Sequence, residues 1–239
     1  MEAKLRSVLR SPALALLLKT SIFGLALFWF RGDSYGFLKL ISLILIFLFL
    51  YLRPAINTTK YWASAISLLT VITLAPKIGD ASGFYLNLIL ILMGYMIFGV
   101  KNLVFLKRNH VYHLFHVLAF FGLTALVVMG LLSQIVYFIL IFFLFKEFYQ
   151  INTEVDKNTS NLISVIESMI AIQMVWVTSF LPTIFIIGTS FITLATMFSH
   201  NLLVHHLKNR FNKQNIYKDL GIFGGISLVV SLFSAWILI

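Results

Sequence analysis

Polar positions along this chain come in short bursts between apolar runs, and the runs share a length. Those near 12–30, 36–53, 60–76, 84–106, 112–130, 134–149, 160–180, 183–204 and 219–239 approach the roughly 20 residues a helix needs to cross hydrocarbon. The fifth and sixth are divided only at "MGLLSQ", where Gly130, Ser133 and Gln134 offer a tight turn. Left whole, that stretch is too long for one crossing. Pro182 divides the seventh from the eighth in the same way. All four prolines, Pro12, Pro54, Pro76 and Pro182, fall at these helix ends, where a missing N–H costs least. The pattern predicts an all-α polytopic membrane protein of about nine transmembrane helices in one domain, residues 1–239.

Charge gives that bundle a direction. With the N-terminus in the cytoplasm, the inner segments carry Lys4, Arg6, Arg10, Arg53, Lys60, Lys107, Arg108, Lys146, Lys157, Lys208, Arg210, Lys213 and Lys218. The outer loops carry Arg31 and Lys77. This asymmetry follows the positive-inside rule and places the C-terminus outside, in a bacterial-type inner (cytoplasmic) membrane. The N-terminus is basic, but no small-residue cleavage site follows its apolar run, so no cleavable signal peptide is expected.

Composition agrees and narrows the chemistry. Hydrophobic residues make up 60% and charged residues 11% of 239 positions, against about 45–50% and about 25% in soluble domains. The formal charge of +10 reads as topology-setting loops facing the bilayer, with no nucleic-acid partner. Absence of cysteine excludes disulfides, thiolate metal sites and cysteine nucleophiles.

Titratable residues concentrate at the inner end. "FLKRNHVYHLFH" holds His110, His113 and His116, and "HNLLVHH" holds His200, His205 and His206. The first three are spaced i, i+3, i+6, so neighbours share a helix face and the third drifts by about 60°. As an alternative metal cluster the six would hold iron or zinc; otherwise they form a phosphate-binding rim, or ride at headgroup level as amphipathic rings. Within the spans, Lys19 and Glu167 lie at a matched depth of about 12 Å from the inner end. Opposite sign at equal depth suggests a salt bridge, a shared polar cavity, or snorkelling of Lys19. The loop "FKEFYQINTEVDKNTSN" adds Glu147, Glu154 and Asp156, oxygen ligands of the kind Mg²⁺ prefers, or simply a solvated surface.

Taken together these features resemble the UbiA-type intramembrane prenyltransferases, which have nine helices with the N-terminus inside. Phe105, Lys107 and Arg108, followed by "HVLAFFGLTAL", are similar to that family's passage from its fourth to its fifth helix. "KEFYQINTEVDKNTSNLISV" occupies the place of its second aspartate-rich motif. Between the second and third runs, where the first such motif belongs, the chain reads "RPAINTTKYWAS" without an acidic residue; Asn57 is the one candidate ligand. The resemblance implies transfer of an isoprenyl group from a diphosphate donor to an aromatic or lipid acceptor at the cytoplasmic side. It implies Mg²⁺ on Glu154, Asp156 and Glu147, with Lys107, Arg108, Asn57 and Lys19 towards the diphosphate. The missing motif raises a non-catalytic alternative, a lipid-binding protein or membrane-complex subunit. A histidine-dependent membrane metalloprotein is the second alternative.

Overall fold

The computed structural model describes residues 12–32, 36–76, 81–153, 155–180, 184–207 and 213–237. Among them are nine α-helices: α1 Pro12–Arg31, α2 Phe37–Leu52, α3 Trp62–Leu74, α4 Ala81–Lys101, α5 Arg108–Val128, α6 Gln134–Asn152, α7 Lys157–Ser179, α8 Phe185–Leu207 and α9 Lys213–Ile237. A 3-10 turn, Thr58–Tyr61, precedes α3. Each helix overlaps one apolar run, and no described residue lies in a strand. Six helices, α1 and α4 to α8, are long and apolar enough to cross a bilayer. The chain is therefore a multi-pass helical membrane protein. Helices satisfy their own backbone polar groups, which hydrocarbon demands.

The shorter helices end for local reasons. The 16-residue α2 stops where Arg53 turns extended ahead of Pro54, across a cis peptide bond. The 13-residue α3 stops at extended Ala75, before Pro76, since the residue preceding proline is driven out of helical space. At 1.5 Å per residue α3 rises only about 20 Å. Between α5 and α6 the expected tight turn forms. Gly130 takes φ +72°, the left-handed conformation glycine adopts at least cost. Leu131 N–H donates to Leu126 C=O at 2.8 Å, closing α5 in a Schellman-type cap. Ser133 then opens α6, its hydroxyl accepting from Val136 N–H. The Pro182 turn lies outside the described residues.

The chain divides into two compact units, residues 1–115 and 116–239, whose boundary falls inside α5. In the first, α1 packs on α2 and α4, and α3 packs on α4. Phe23 meets Phe47 and Phe98 edge-on, with ring centroids 5.8 and 5.7 Å apart. Gly94 admits this cluster, because a Cβ there would lie 2.4 Å from the Phe23 ring. In the second unit α6 packs on α7, α7 on α8, and α8 on α9. Its buried faces are more polar than those of the first. Ser160, Ser164, Glu167 and Ser168 lie buried on α7, and Thr189, Thr193, Thr196 and His200 on α8.

Candidate functional site

The polar faces of α7 and α8 bring two ionisable side chains together in the second unit. His200 Nδ1 lies 3.0 Å from Glu167 Oε1 and 3.3 Å from Oε2. His200 is fully buried and Glu167 is 1% exposed. From α6, the Tyr149 hydroxyl reaches the same nitrogen at 3.2 Å. Three oxygens thus converge on one ring nitrogen, which carries at most one proton. That nitrogen either donates to the carboxylate, or accepts from a protonated carboxyl or the phenol.

Aromatic rings enclose the centre. Phe148 and Phe145 lie 4.5 and 5.2 Å from the His200 ring, centroid to centroid. His116 of α5 stacks on His200 at 5.5 Å and 22° from parallel, and also contacts Phe148 at 4.8 Å. One member of each sequence cluster therefore meets the other. Helical spacing explains the selection: His116 is buried, His113 half-buried and His110 exposed, while on α8 His200 is buried, His205 half-buried and His206 exposed. Among the described residues no three of His, Asp and Glu form a group that could hold a metal ion.

The other candidates are distributed differently. Lys19 and Glu167 each find partners inside their own unit. The Lys19 ammonium donates to the carbonyls of Leu50, at 3.1 Å, and of Arg53. Lys101 Nζ donates to Pro54 C=O at 2.9 Å and lies 4.6 Å from the Tyr51 ring centroid. Two lysines thus satisfy carbonyls at the C-terminal end of α2, where the helix dipole favours cations. Equal depth along two helices does not encode which side chains meet. Asn57 sits half-buried with φ 50° and ψ 22°, a left-handed turn conformation that Asn tolerates well. Lys107 and Arg108 are exposed at the start of α5.

Of the expected Mg²⁺ ligands, Glu154 lies outside the described residues and Glu147 is buried on α6. Asp156 is exposed and caps α7, its Oδ2 accepting from Asn158 and Thr159 N–H at 3.1 and 3.3 Å. Hydrogen bonds from Thr159, with help from Asn158, hold its carboxyl below the usual carboxylate range. Serving as an N-cap accounts for an aspartate at this position.

Tyr149 was invisible to reasoning about charge, since an uncharged phenol near a helix end reads as an interface residue. Two signals pointed to the pair. Serines and threonines recur at helical spacing on the faces carrying Glu167 and His200, which lie about three and two turns from the nearer ends of α7 and α8. No protein family, curated protein or solved structure matches this chain.

Proposed function

We propose that this is a proton-linked membrane carrier in which Glu167, His200 and Tyr149 take up and release a proton inside the bilayer. The observation supporting this reading is the 3.0 Å contact between two buried ionisable groups on membrane-spanning helices. Stranding a carboxylate in hydrocarbon costs several kcal/mol, even after relaxation. A histidine partner offsets that cost by sharing one proton with the carboxylate. The orientation that fits the basic loops puts the N-terminus inside, and the centre then lies towards the cytoplasmic half of α7 and α8.

The test is proton uptake into proteoliposomes holding a pH-sensitive dye, driven by a potassium diffusion potential. Wild type is expected to acidify the lumen, and Glu167→Gln, which keeps shape but not charge, to slow uptake at least tenfold. Equal rates would remove the proposal.

A second proposal, isoprenyl transfer or lipid binding on a UbiA-like bundle, is supported by nine helices in the anticipated order. Binding of a non-hydrolysable geranylgeranyl diphosphate analogue decides it. Dependence on Mg²⁺ favours transfer, binding indifferent to Mg²⁺ favours the lipid-binding form, and no binding removes both.

A further inference from the structure

A row of hydroxyls leads away from the proton centre. Thr189, Thr193, Thr196 and His200 follow one another on α8 at steps of four, three and four residues, within an arc of about 60°. They span about 16 Å of helix rise. Thr189, Thr193 and Thr196 are 0, 7 and 1% exposed. Among the described residues none of the three hydroxyls has a hydrogen-bond partner. Ser67 and Ser160 share this state, but several other hydroxyls do not. On α8 itself Ser190 and Ser199 donate to the carbonyls four residues back, as do Thr20, Thr124, Ser164 and Ser168 elsewhere. That back-bond is the ordinary resting place for a hydroxyl on an apolar helix. The three threonines forgo it, and a buried hydroxyl without a partner costs about 1–3 kcal/mol.

A cavity lies against Gly188, just before the far end of the row. About 310 Å³ of space is lined by Gln134, Thr178, Ser179 and Gly188 among valines and Phe185, and Gly188 immediately precedes Thr189. Thr178 lies three turns along α7 from Glu167, on the same face. A volume of this size and polarity holds several water molecules, each needing two to four polar partners.

Building on the proton-linked reading above, we propose that this cavity and the hydroxyls of Thr189, Thr193 and Thr196 form a water-filled passage carrying protons to His200 and Glu167. The ligand is water and its excess proton, passed along hydrogen bonds without any change of covalent structure. The cavity is the outer mouth in the proposed orientation, and the threonine hydroxyls act as positioning groups.

Lack of native cysteine permits a direct test. Single cysteines replace Thr189, Thr193 and Thr196, with Leu144→Cys as a fully buried position off the row. Each is exposed in proteoliposomes to a charged, membrane-impermeant methanethiosulfonate, and its modification rate is measured. Row positions are expected to react at least tenfold faster than Leu144→Cys; rates equal to that control would overturn the passage. Thr193→Val with Thr196→Val, nearly isosteric, is expected to lower proton uptake about tenfold while raising thermal stability. Unchanged uptake at raised stability would mean that the threonines only pack, and would also overturn it. Uptake unaffected by Glu167→Gln together with reactive row cysteines would sink the carrier reading while leaving the water passage standing.

Discussion

Removing one member of the buried pair should cost far more than removing both. At 3.0 Å and an effective dielectric near 20, the ionised form of the pair, carboxylate and imidazolium, attracts by about 5.5 kcal/mol. Desolvation offsets much of this, so the pair's net worth is small. The uncompensated charge left by a single substitution is the expensive state. His200→Leu is therefore expected to destabilise the protein by about 3–5 kcal/mol. Glu167→Leu combined with His200→Leu is expected to fall within about 1 kcal/mol of wild type or above it, since apolar pairs of similar volume replace buried ion pairs well. The cycle's coupling energy would then be at least about 3 kcal/mol, beyond the usual departure from additivity. Reversible unfolding in mixed micelles reads this out through tryptophan fluorescence. Trp176 is a local reporter on α7, its indole N–H bonded to Gln134 at 2.8 Å. Additive effects of the two substitutions would refute the argument, because they would show that neither group depends on the other for its charge.

Two further outcomes follow from local geometry. Gly94→Ala brings a methyl group to 2.4 Å from the Phe23 ring and is expected to cost about 1–3 kcal/mol by overpacking, read from the same unfolding curves; a neutral result would mean that the aromatic cluster is loosely held. The hydrogen bonds that lower the Asp156 carboxyl below its unfolded value make its cap fully effective above that unfolded value. The contribution fades as pH falls through the lower folded value. Asp156→Asn, which keeps the acceptor oxygen, is expected to remove this acid-side decline, and Asp156→Ala to lower the unfolding midpoint at neutral pH, as measured across a pH series.

Helix positions were legible because apolar run length and proline placement are local properties. The turn at Gly130 and Ser133 was legible for the same reason: "MGLLSQ" supplies both a left-handed residue and a cap. Partnerships were not. Depth along a helix can be read from residue number, but azimuth and neighbour identity depend on packing. Lys19 and Glu167 matched in depth and sign, yet Lys19 was claimed by the carbonyls of Leu50 and Arg53 and Glu167 by His200. Histidine spacing did carry information. The drift of about 60° per step across His110, His113 and His116 appears as a gradient from exposed to buried, and its buried end is the member that stacks on His200.

The bond from Lys101 to Pro54 spans 47 residues of chain, and this has a consequence for biosynthesis. Translation finishes α2 well before the lysine that satisfies the Pro54 carbonyl exists. Until α4 has been made and inserted, that carbonyl must rely on headgroups or water. The turn after α2 therefore closes late, as a latch set by the fourth helix. A ribosome-stalled chain ending before residue 101 is expected to leave this turn open to protease, and one that has cleared α4 to protect it.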